Sequence, residues 1–164
     1  MTAPDGRPMS TRSRSIRSVD CVAAQFTLDA LSDEQWRSMS WTGLDVDPTL
    51  VMLLDEIPPA ADGFDRLERI GTWEQVIAWA QARQCAEITR YMADSVAEPA
   101  HGMRADQAGE SAQSEVGLML TLAPGGAAWR VSDARTLVED FPAISAALES
   151  GAITLTKARI ITEG

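Results

Sequence analysis

The sequence predicts an all-α protein, an irregular helical bundle with one long helix and a compact C-terminal cluster of short helices. Three observations predict it. Apolar residues recur at steps of three and four, the spacing that lines one helix face, as at Val116, Met119 and Leu120. Ala, Leu, Glu and Arg fill the long segments, whereas β-branched and aromatic residues are not gathered into alternating runs. Pro and Gly fall between the periodic stretches, at Leu122-Ala-Pro-Gly-Gly126, Phe141-Pro142 and Gly151.

The elements follow in order. Residues 1–19 read as a disordered basic tail, with Pro4, Gly6 and Pro8 before a polar Ser/Arg run, and Met9 is a second candidate start beside Met1. Residues 20–164 read as one helical domain. Val22, Phe26 and Ala30 suit a short helix, and Ser32-Asp-Glu-Gln35 has capping-box form ahead of a brief helix that Trp41-Thr-Gly43 ends. Asp47-Pro48 opens another, with Leu50, Leu53 and Leu54 apolar, closed by Pro58-Pro59 and Asp62-Gly63. The long helix is expected over residues 67–92, its apolar stripe running Leu67, Ile70, Trp73, Ile77, Ala80, Gln84, Ile88 and Tyr91. Gly71 weakens its first turn, and Thr72-Trp-Glu-Gln75 has the form of a capped restart. Residues 97–109 read as an exposed connector. Short helices then follow closely: residues 114–122; a series at Ala127, Val131, Ala134, Leu137 and Val138; a turn of helix at Ile144, Ala147 and Leu148; and a last one opened by Leu155, Ala158 and Ile161.

Charge narrows the function. Residues 1–20 hold four Arg against Asp5 and Asp20, which leaves 10 basic and 22 acidic residues in the rest of a chain of net charge −10. An acidic body repels phosphate backbones and counts against strong nonspecific nucleic-acid binding, though not against a local basic patch. No stretch approaches the roughly 18 uncharged apolar residues of a membrane span, and no apolar run suited to a secretory signal follows the N-terminal Arg residues. A cytoplasmic protein is expected. Cys21 and Cys85 are far apart and form no C-x-x-C motif, so buried free thiols are expected rather than a disulfide.

Chemistry-bearing constellations are few. His101 is the sole histidine, in the expected connector, and there is no asparagine. Carboxylate pairs such as Asp45 and Asp47, or Asp55 and Glu56, lack a partner His or Lys. Pro124-Gly-Gly126 lacks the Lys and the length of a phosphate loop. No nucleophile–base pair, metal cluster or cofactor site emerges, and an enzyme in its own right ranks last. Trp36, Trp41, Trp73, Trp79 and Trp129 are not interleaved with basic residues as a base-stacking platform requires, and core or interface burial is expected for most of them. Residues 114–122 and 127–139 have the dimensions of a helix-turn-helix whose second helix would turn Trp129, Arg130, Asp133 and Arg135 outward, although a helical hairpin in an ordinary bundle gives the same pattern. Arg130 and Arg135 suit guanine or phosphate contacts, and Lys157 and Arg159 would join them only if the last helix lies alongside.

The order of these words resembles the actinobacterial family called domain of unknown function 222, the N-terminal region of proteins that carry an HNH endonuclease domain. The matching words are Glu115-Val116 to Leu120, Ala123-Pro124, Ala134 to Leu137, Pro142 to Gly151, and Lys157-Ala-Arg159-Ile160. With the helix around Trp73 to Met92 the resemblance covers roughly residues 64–164. It implies further helices and then a nuclease, so these residues would be a C-terminally incomplete member. One histidine and no asparagine do not supply an HNH metal site. The expected function is therefore a non-catalytic accessory module assisting the engagement of double-stranded DNA, through Arg130, Arg135, Lys157 and Arg159. The alternative is a truncated remnant or stand-alone interaction protein that self-associates, or holds a helical partner, through exposed helix faces. Leu155, Ala158, Ile160 and Ile161 cover more of the last helix than one short contact would hide, which favours such a face.

Overall fold

The computed structural model describes residues 44–56, 60, 62–100 and 102–163. Six α-helices make up the described residues: α1 (Pro48–Glu56), α2 (Gly63–Ala97), α3 (Ala105–Met119), α4 (Pro124–Arg135), α5 (Pro142–Glu149) and α6 (Leu155–Glu163). A single wide turn with π-type hydrogen bonding, Thr136–Asp140, extends α4. The all-α class and the long helix with a compact C-terminal cluster are as the sequence predicts. The readings made for residues 1–43, Pro58-Pro59 and His101, including Trp36, Trp41 and Cys21, lie outside the described residues.

Local chemistry explains the boundaries. Asp47 Oδ1 accepts the Leu50 N–H at 2.9 Å at the start of α1, and Asp62 Oδ1 accepts Phe64 and Asp65 N–H at 2.8 and 2.9 Å at the start of α2. Asp62 thus opens α2 rather than merely ending what precedes it. The helix runs unbroken through Gly71. Instead of capping a restart, the Thr72 hydroxyl donates to the Glu68 carbonyl at 2.9 Å within the helix. The connector is shorter than expected, because Gln107 Oε1 accepts the Arg104 N–H at 3.2 Å and starts α3 at Ala105. Pro124 and Pro142 each take a first-turn position in α4 and α5, where a missing N–H costs nothing.

Two helices end in the same motif. After α5, Ala152 N–H reaches the Ala147 carbonyl at 3.0 Å and Gly151 N–H the Leu148 carbonyl at 3.1 Å, around Gly151 at φ +72°. After α3, Leu122 N–H reaches Gly117 at 2.8 Å and Thr121 N–H reaches Leu118 at 3.2 Å, but the left-handed position is held by Thr121 at φ 56°. A β-branched side chain in that conformation is strained.

The main core joins Ala78, Ala82, Cys85 and Ile88 of α2 to Val116, Val131, Ala134, Leu137, Leu148, Leu155 and Ala158. A satellite of Leu50, Leu54 and Val76 holds α1 against α2. This corrects the stripe read from the sequence. Leu67, Ile70, Trp73, Ile77, Ala80, Gln84 and Tyr91 are exposed, and of that series Ile88 alone is buried. The buried strip is Thr72, Val76, Ala78, Ala82, Cys85, Ile88 and Thr89. Helices α3, α4 and α5 all converge on that side of α2, and small residues let several backbones approach where large ones would hold them off. Length contributes too. At about 1.5 Å per residue the 35 residues of α2 span about 52 Å, against about 22 Å for the 15 of α3, so much of α2 has no neighbour among the described residues to bury it.

Candidate interaction site

Helices α2 and α3 form an antiparallel pair: Val96 lies beside Gly109 near their joined ends, and Tyr91 meets Glu115 further along. Beyond that, α3 must make room for α4. A Cβ on Gly117 would stand 2.8 Å from the Ala127 Cβ, so glycine permits the crossing. The chain then leaves α3 through the strained Thr121 turn. Between α2 and the last turn of α3 an open groove of about 550 Å³ remains, lined by Gln84, Ile88, Tyr91, Val116, Leu118 and Met119 among others. Its surface is almost wholly apolar. Leu118 and Met119 stand 80% and 84% exposed on its lip. Met119, expected beside Val116 on the core face, therefore points to solvent, because α3 ends at this residue and no described helix covers that side.

The groove carries one uncompensated charge. Glu115 accepts hydrogen bonds from the Tyr91 and Ser111 hydroxyls, both neutral, and makes no ion pair among the described residues. Its hydrogen bond and negative charge hold the Tyr91 phenol above its ordinary pKa. Glu87, also on the groove wall, pairs with Arg90 at 3.0 Å.

The four basic residues singled out from the sequence do not converge on one patch. Arg130 donates to Gln84 Oε1 at 2.5 Å. Arg159 donates to Asp133 Oδ2 at 2.6 Å and lies 5.5 Å from the centre of the Trp129 ring. The positive charges of Arg130 and Arg159 each favour the thiolate of the buried Cys85. Arg135 turns away, pairing with Glu139 at 3.3 Å in a polar depression with Gln113 and Asp140. Lys157 is exposed and makes no ion pair among the described residues. Asp133, expected to face outward, is half-buried under Arg159.

The core burial expected for most tryptophans fails for the three described. Trp73 and Trp129 are exposed and Trp79 half-buried, the last with Arg83 5.7 Å above its ring, so none of the three described is core. Cys85 is a buried free thiol as expected, and burial raises its pKa more than the nearby guanidinium groups lower it. Among the described residues no three His, Cys, Asp or Glu side chains gather into a group able to hold a metal ion. No described helix is long and apolar enough to cross a membrane.

The family model described as a domain of unknown function, DUF222, matches residues 75–163. The chain belongs to this family. No curated protein and no solved structure matches it. The matched stretch begins at Gln75 rather than near residue 64, and it contains every residue lining the groove, with Arg130, Arg135, Lys157 and Arg159. Helix α1 and the first turns of α2 lie before it.

Sequence reading missed the groove. Leu118-Met119-Leu120 was its one visible signal: three consecutive large apolar residues span about 200° of a helix, wider than a single core contact hides.

Proposed function

We propose that this DUF222 chain is a non-catalytic helical accessory module that works by protein contact, with the α2–α3 groove as its docking surface. The observation that carries the reading is the pair Leu118 and Met119, held in water at the lip of an apolar groove of about 550 Å³. Two large apolar side chains exposed on a packed frame have a standing gain in free energy from a partner that covers them. The resemblance to the N-terminal region of HNH endonuclease proteins supports placing such a module beside a nuclease domain.

Engagement of double-stranded DNA through Arg130, Arg135, Lys157 and Arg159 is the second reading. Lys157, exposed and without an ion pair among the described residues, is the cation that favours it. Against it, Arg159 is neutralised by Asp133, Arg135 by Glu139, and the body of the chain is acidic. Two titrations test the proposal. An amphipathic naphthalene-sulfonate dye should bind saturably and lose that site in Leu118→Glu. Duplex DNA at low salt should give no saturable change in fluorescence anisotropy. Salt-sensitive DNA binding that Lys157→Ala or Arg135→Ala abolishes, with the dye site absent, would replace the protein-contact reading with the DNA one.

A further inference from the structure

We infer that the occupant of the groove is helix α6 of a second copy of the chain, with Ile160 and Ile161 seated on Leu118 and Met119 and the Lys157 ammonium against Glu115. The inference rests on the reading of the groove as a docking surface and adds what fills it.

Helix α6 is two-sided. Leu155 and Ala158 are buried, and Arg159 is held to Asp133. On the opposite side Lys157, Ile160 and Ile161 share one face at i, i+3 and i+4, with the isoleucines 66% and 50% exposed. That face is two β-branched apolar side chains with a cation one turn before them. The groove is its complement in both respects: apolar walls, and at the rim a carboxylate that, among the described residues, is met by hydroxyls alone. Lys157 is the sole lysine in the chain, and neither it nor Glu115 has an ion-pair partner among the described residues of its own molecule. Opposite charges left over at the edges of two apolar surfaces fix the register in which those surfaces meet.

Within one molecule helix α6 is tied to the element that borders the groove. Arg130 of α4 donates to Gln84 on the groove wall, and the adjacent Trp129 carries Arg159 of α6 over its ring. In a two-fold pair the α6 faces are exchanged reciprocally, each copy giving and receiving the same contact.

The test is sedimentation velocity of the full chain across micromolar concentrations. Wild type should show a concentration-dependent monomer–dimer equilibrium. Ile160→Glu and Leu118→Glu should each weaken it by about tenfold or more, as loss of a central apolar anchor does. Lys157→Glu alone and Glu115→Lys alone should each weaken it, since both place like charges opposite in a homodimer. An equimolar mixture of those two should dimerise again, because the mixed pair restores opposite charges at both contacts. A zero-length carbodiimide cross-link should join Lys157 to Glu115 between chains. A wild type that stays monomeric, association untouched by these variants, or a charge-reversed mixture that fails to recover overturns the inference. If the dye site is present but the chain is monomeric, the docking surface stands and the second copy is the wrong occupant. If the dye site is absent too, the docking reading itself falls.

Discussion

Replacing Gly151 by alanine should be one of the costliest single-methyl additions in this protein. Gly151 closes α5 at φ +72°, where an L side chain crowds its own backbone and costs roughly 1–2 kcal/mol. Space adds a second penalty. The new Cβ would stand 2.8 Å from the Gln75 Cβ and 3.1 Å from its Cα, on a long helix whose backbone cannot yield cheaply. Overpacking of that kind costs about 1–3 kcal/mol, so the sum is about 2–5 kcal/mol. For a domain of this size that lowers the melting temperature by roughly 10 °C, readable by circular dichroism at the helical band. Two companions separate the causes. Gly151→Asn keeps the collision but tolerates the left-handed backbone better, so it should lose less than Gly151→Ala. Gly71→Ala, in mid-helix with nothing within 4 Å of the added Cβ, should stabilise by about 0.5–1 kcal/mol. A Gly151→Ala variant within about 1 kcal/mol of wild type would refute the reasoning, since the two penalties together come to at least about 2 kcal/mol.

Three further outcomes are expected. Thr121→Gly should raise stability by about 0.5–1 kcal/mol in urea unfolding, because it relieves a β-branched residue at φ 56° while keeping both closing hydrogen bonds. Ultraviolet titration should place the Tyr91 phenol above its ordinary value of 10.0, and Glu115→Gln should bring it back down. Its folded pKa is raised, so whatever stability this contact adds is present below pH 10.0 and lost as pH climbs through the folded value. In a Cys21→Ser chain, the Cys85 thiol should resist alkylation in buffer and react fully in denaturant, because burial both hides it and disfavours the thiolate. Brisk labelling of the native chain would mean that the α2 core opens far more often than its packing implies.

The parts of this fold legible in the sequence are those set by local chemistry. Pro124, Pro142 and Gly151 punctuate the C-terminal helices where expected, and Ala127, Val131, Ala134 and Leu137 do line the buried face of α4 and its wide turn. Which face of α2 is buried was not legible. Periodicity favours the large residues Leu67, Ile70 and Ile77, but the core selects Ala78, Ala82 and Cys85, because several helices crowd one side of α2 and only small side chains fit between them. The family membership was carried by short words in a fixed order, which survive without knowledge of any contact. The site was legible only as a set of residues. Arg159 with Asp133 and Arg130 with Gln84 are pairings across 26 and 46 positions, which no local pattern announces. The groove depends on where α3 stops relative to α2, a tertiary fact; its single trace was an apolar run too wide for one contact.

The proposed function requires the α2–α3 groove to be an accessible apolar binding surface. Fluorescence titration with an amphipathic naphthalene-sulfonate dye on wild type, Leu118→Glu and Leu67→Glu measures it. The account predicts a saturable dye site in wild type that Leu118→Glu removes and Leu67→Glu, an equally apolar change on the exposed start of α2, leaves in place. Absence of that site in wild type, or its survival in Leu118→Glu with the helical content unchanged, would contradict the docking surface on which the proposed function rests.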